Sequence, residues 1–195
     1  MISLYYDIPS YERELAPLAA VPDLMPKALQ RALGKTLTKL KTMFVRGVSA
    51  EALLMQKHIR AGLYQSGVTW DGDEAYGYLG GTQGKQPLFR YKVLPSGPSV
   101  RRPPVGASAQ VLRASGLETI KGSFVARMSS GHLGLFWRKR GSRNINELLG
   151  PSVQFFFQRD AIRTPIEEQT DEIFVGFLQH EVAFLTRQWA EGAIQ

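Results

Sequence analysis

Between Pro26 and Arg46, the residues Leu29, Leu33, Leu37, Leu40 and Phe44 follow one another at steps of four, four, three and four. At about 100° per residue these steps put all five on one stripe of an α-helix, and such a stripe has to be buried. Lys27, Arg31, Lys35, Lys39, Lys41 and Arg46 fall on the opposite side and form a basic helix face. Asp23 stands where it can cap the start, and Pro26 is tolerated in the first turn. Gly47-Val48 is expected to break the run before Ser49-Ala50-Glu51 opens a second helical segment, carrying Leu53, Leu54, Ile59 and Leu63 and ending near Gly62.

Residues 64 to 145 follow another rule. Short apolar or aromatic runs such as Tyr76-Gly77-Tyr78-Leu79, Leu88 to Val93 and Gly134-Leu135-Phe136-Trp137 are separated by Gly, Pro and Ser, which predicts strands and turns. The stretch from Leu94 to Ala107, with four prolines around Arg101-Arg102, cannot continue a helix and predicts an extended loop that a partner orders. Further on, Thr164-Pro165-Ile166-Glu167 has the spacing of a capping box with proline just inside the start. A long helix is expected to follow, with Glu167, Glu168, Asp171 and Glu172 in its first turns and Ile166, Ile173, Phe177, Val182, Leu185 and Trp189 on its apolar face. The order helix, sheet, helix is that of an α+β chain, read as a single domain over 1–195 with an N-terminal arm over 1–22 and an extended loop over 94–107.

Charge is uneven along this order. Residues 85 to 143 carry twelve Lys or Arg against one acid, Glu118, whereas residues 144 to 195 carry eight acids against three arginines. The whole chain has a formal net charge of +7 and a pI near 9.8, which favours a polyanion or an acidic protein surface as partner. The densest cations, Arg138-Lys139-Arg140 and Arg143, follow Phe136 and Trp137, and with Arg101 and Arg102 they are the candidate contacts to DNA or an acidic partner. The basic helix face of Lys27, Arg31, Lys35 and Lys39 is a second candidate.

Catalytic chemistry finds no constellation here. With no cysteine there is no disulfide, thiolate metal site or thiol nucleophile. Gly80-Gly81-Thr82-Gln83-Gly84-Lys85 lacks the spacing of a phosphate-binding loop, because Leu79 and Gln86 occupy its two ends, and it reads as a turn between strands. His58, His132 and His180 lack zinc-site spacing, and Ser130-Gly131-His132 lacks a nucleophile elbow. The acids near Glu167 are explained by helix-start electrostatics. The expectation is therefore no enzyme, no metal and no cofactor. The segment from Met1 to Asp7 has no basic stretch leading into an apolar run, and none of the chain approaches the roughly 18 apolar residues of a membrane span. A soluble protein made in the cytoplasm, with no membrane partner, is expected.

The stretch Lys121 to Arg138 reads Gly-x-Phe-hydrophobic-Ala, a glycine turn, then Gly-hydrophobic-Phe-x-Arg. Ile145-Asn146-Glu147-Leu148-Leu149-Gly150-Pro151-Ser152-Val153 and an acidic amphipathic helix close it. This order, with the helix from Ala28 to Thr42, resembles the minor tail protein Z (tail completion) family of lambda-like phages. The resemblance implies an α+β fold with an N-terminal helix, a mostly antiparallel sheet and a C-terminal helix packed on it. It implies a virion structural protein at the head-proximal end of the tail, made in the host cytoplasm. Such a protein completes the tail and joins it to the head as a homo-hexameric ring around the DNA channel. The implied partners are other copies of the chain, the tail terminator, tail tube and neck or connector proteins, and genomic DNA. Two other readings stand beside this one: a basic DNA-binding accessory protein, and a small hydrolase or nuclease for which no carboxylate or histidine cluster assembles.

Overall fold

The computed structural model describes residues 1–71, 73–98, 105–139 and 141–192. In chain order they form β1 (Ile2–Asp7), α1 (Glu12–Leu15), the long α2 (Leu24–Glu51), α3 (Gln56–Ala61), β2 (Leu63–Gln65), β3 (Thr69–Asp71) and β4 (Glu74–Gly81). There follow β5 (Lys85–Pro87), β6 (Lys92–Leu94), β7 (Gly106–Gln110), β8 (Glu118–Lys121), β9 (Ser123–Arg127) and β10 (Leu133–Arg138). The last elements are β11 (Ile145–Glu147), β12 (Leu149–Ser152), α4 (Val153–Phe156) and α5 (Asp160–Ala190). Helices and antiparallel sheets make this an α+β protein, with the long C-terminal helix packed on a sheet. The chain divides into two compact units, one of residues 1–44, 63–80 and 157–195, the other of 45–62 and 81–156.

In the first unit β4 lies between β1 on one side and β2 and β3 on the other, with Ile2 opposite Leu79 and Tyr6 opposite Ala75. Helix α2 lays its leucine stripe on this unit: Leu29, Leu33, Leu37 and Leu40 are completely buried and Phe44 nearly so, its ring stacked 3.9 Å from that of Phe157. Each such side chain contributes about 1.5–3 kcal/mol by its burial. Gly77 on β4 permits the approach, since a Cβ there would stand 2.7 Å from Leu37 Cδ1. Helix α5 covers β1, where the Tyr6 ring lies face to face with that of Phe174, 3.5 Å between centroids and 4° between planes.

The expected N-terminal arm is instead part of this core. Ile2, Leu4 and Tyr6 alternate inward from β1, and Leu15 and Leu18 are buried beyond it, so residues 1–22 are held by the same apolar burial that holds the helices.

Three small sheets build the second unit: β6-β7-β8, β11-β10-β9 and β12-β5. Ser123 fastens the first to the second, since its buried Oγ accepts from Ala107 N at 3.0 Å and donates to Ile120 O at 2.7 Å. The loop expected over 94–107 is shorter at both ends, because Leu94 pairs with Ser108 and Gly106 and Ala107 pair with Lys121 and Ile120. It connects two adjacent antiparallel strands; its middle, residues 99–104, lies outside the described residues.

Two expected boundaries move. Gly47-Val48 does not interrupt α2, because burying Val45 and Val48 outweighs the roughly 1 kcal/mol that a helical glycine costs. The helix ends at Glu51, where an antiparallel bridge pairs Ala52 with Leu112. Nor does the Thr164 box open the last helix, which starts at Asp160 with Pro165 inside it. Burial of Ile162 draws the helix back, and the missing Pro165 N–H deprives only the carbonyl of Ala161, whose residue is exposed to water.

Candidate functional site

The basic face of α2 is only partly free. Lys27 and Lys39 are exposed, but Arg31 and Lys35 both turn to Glu181 of α5, whose side chain is completely buried. Arg31 Nε stands 2.6 Å from Glu181 Oε2, and Lys35 Nζ closes on Oε1. Neither carboxylate oxygen has a donor in hydrogen-bond alignment, so the contact is one of charge more than of direction. Arg31 also lies over the Phe184 ring, 4.9 Å from its centroid, a cation–π contact. Beside this triad, Lys35, Lys39, Glu172, Ile173, Phe177 and His180 line an open groove of about 550 Å³. The predicted basic face therefore resolves into a structural ion cluster and two outward cations.

In the second unit, β10 and β11 form a hairpin with Arg138 opposite Ile145. Arg138 ends the strand, and Lys139 and Arg143 stand exposed in the connection, so three of the four cations predicted here meet at one tip. Arg140, the fourth, lies outside the described residues, as do Arg101 and Arg102. The two aromatics before the tip divide: Phe136 packs inward at 4 % exposure, while Trp137 is 40 % exposed beside the cations. The two differ because successive side chains of a strand point to opposite faces.

The acids of α5 are exposed at Glu167, Glu168, Asp171 and Glu172. Asp171 accepts the Tyr6 hydroxyl at 3.2 Å, and Glu167 stands 3.6 Å from Arg163 Nε. His132 belongs to the turn between β9 and β10, its Nε2 2.8 Å from Glu147 Oε1. Among the described residues no three His, Asp or Glu side chains group so as to hold a metal ion, and no helix is long and apolar enough to cross a membrane.

Sequence reading missed Glu181, since its partners lie about 150 positions away and a lone acid on a helix carries no local signal. No protein-family model, curated protein or solved structure matches the chain.

Proposed function

We propose that the chain is a structural protein of a tailed-phage virion, completing the tail at its head-proximal end and joining it to the capsid as part of a ring around the DNA channel. The observation that supports this reading is the run of strands from β9 through β12. There the residues that resemble the minor tail protein Z family form successive strands leading into α4 and the long acidic α5. Assembly follows from charge. In this reading the exposed Arg138, Lys139 and Arg143 of one copy face the exposed Glu167, Glu168 and Glu172 of the next in a heterologous contact, and the ring of six is what the resemblance implies. Tail terminator, tail tube and neck proteins are the axial neighbours.

Particles produced without this protein test the reading. Complete heads and tails that stay unjoined or non-infectious are the expected result; normal infectious particles, or a copy number other than six, would remove it.

A basic DNA-binding accessory role is the second reading, favoured by the exposed Trp137 beside Arg138 and Lys139. Arg138→Gln with Lys139→Gln separates the two: loss of DNA affinity with normal particle assembly favours the accessory role, and failed assembly favours the ring.

A further inference from the structure

A second concentration of positive charge, built from other residues than the β10–β11 tip, forms in the same unit from positions dispersed along the chain. Arg90, Lys92 and Arg113 line a groove of about 520 Å³ together with Phe89, Leu53 and Met55. Its construction is local to that unit. The bridge between Ala52 and Leu112 carries Arg113 to the end of α2, where its Nε donates to Ser49 O at 3.2 Å. The one-turn 3-10 helix Leu88–Arg90 presents Phe89 and Arg90, and Tyr91 anchors that turn, buried and donating its hydroxyl to Pro151 O at 2.9 Å.

All three cations are exposed, and among the described residues no carboxylate lies within ion-pair distance of any of them. Arg90 Nη1 donates instead to a neutral acceptor, Gln86 Oε1, at 2.5 Å. Three cations sharing a concave surface repel one another, and an anion in the groove relieves that repulsion. The walls are not simply polar: Met55 is 54 % exposed and Phe89 half-buried. Close by, burial first and then the charges of Arg90 and Lys57 hold the His58 imidazole below its ordinary pKa.

The geometry points to a binding site for single-stranded nucleic acid, with phosphates on Arg90, Lys92 and Arg113 and a base against Phe89. The guanidinium fork suits phosphate oxygens, and an aromatic wall accepts any base, so the site reads the strand without reading its sequence. An acidic peptide would use the three cations and leave Phe89 and Met55 without a flat partner. This site does not depend on the tail reading, because its cations are absent from the ring contact.

Fluorescence anisotropy of the whole chain with a labelled oligothymidylate about 12 nucleotides long tests it. Salt-sensitive binding is expected. Arg90→Gln with Arg113→Gln should weaken it about tenfold or more and flatten the salt slope by about 1.4, at about 0.7 for each phosphate left without its cation. Phe89→Ala should weaken binding with the slope unchanged, and Lys27→Gln on α2 should do neither. Bound oligothymidylate should also raise the His58 pKa followed by NMR. Unchanged binding by the double variant, or equal affinity for a polyglutamate of matched length, overturns the proposal. Should circular dichroism find the double variant unfolded, Lys92→Gln takes its place, with an expected slope change of about 0.7.

Discussion

Arg31 Nε stands 2.6 Å from a Glu181 carboxylate that has no exposure to solvent, while the Arg31 side chain itself remains 39 % exposed. A buried carboxylate of this kind depends on its cations more than they depend on it. Either Arg31→Ala or Lys35→Ala should cost about 1 kcal/mol, because the other cation remains and both reach water. The double substitution leaves the carboxylate only His180, 3.7 Å away, and should cost about 3 kcal/mol or more, exceeding the sum of the singles. Glu181→Gln should cost less than the double. Urea unfolding of the four variants measures this; a Glu181→Gln cost above that of the double would remove the charge account.

Tyr6 separates packing from hydrogen bonding on α5. Tyr6→Phe keeps the stack on Phe174 and loses only the 3.2 Å bond to Asp171, for about 1 kcal/mol. Tyr6→Ala loses the stack as well and should cost about 3–5 kcal/mol in the same unfolding measurement.

In alkali the same residue becomes a weak point. Burial, with the Asp171 carboxylate adding to it, pushes the Tyr6 phenol well above its ordinary value, and burial alone pushes Tyr91 up. A raised folded pKa means stability that is full below the unfolded value of about 10 and is lost as pH rises through the folded one. In tyrosinate absorbance Tyr6 and Tyr91 should therefore ionise late and together with unfolding. Tyr91→Phe should remove part of that late step.

His58 works in the acid direction. Its folded pKa lies below the unfolded value of about 6.5, so the unfolded chain binds the proton more readily. Stability should be insensitive to this group above about pH 6.5 and should decline as pH falls below it, until the folded imidazole also protonates. His58→Gln should flatten that decline when thermal midpoints are compared between neutral and mildly acidic buffer.

Gly106 has φ +144°, and a Cβ added there would lie 2.1 Å from Ile120 O. Both the backbone angle and the close approach forbid a side chain, and the clashing atom belongs to the neighbouring strand. Gly106→Ala should cost about 2–4 kcal/mol and loosen the pairing of β7 with β8, read as faster amide exchange at Ser108 and Ala109.

The leucine stripe of α2 was legible because helical period is a local signal, and all five of its residues are buried. The tip at Arg138, Lys139 and Arg143 was legible because those cations are neighbours along the chain. Helix ends were not. Gly47 and the Thr164 box are local signals too, but apolar burial at Val48 and Ile162 outweighs them, and burial is set by the whole unit. The clusters that join distant positions, Arg31 and Lys35 with Glu181, and Arg90 and Lys92 with Arg113, had no sequence signature at all. Each cation alone resembles any solvated lysine or arginine, and only the folded backbone brings them together.

The first unit takes its β1 and most of α2 from before residue 45 and its α5 from after residue 159. On the ribosome this imposes an order. The leucine stripe of α2 is synthesised early, yet Phe157 and Phe174 and the carboxylate that pairs with Arg31 emerge only after the whole second unit has been made. A nascent chain halted before α5 would therefore expose the stripe and leave it to chaperones or aggregation, while the second unit already has its own residues in hand.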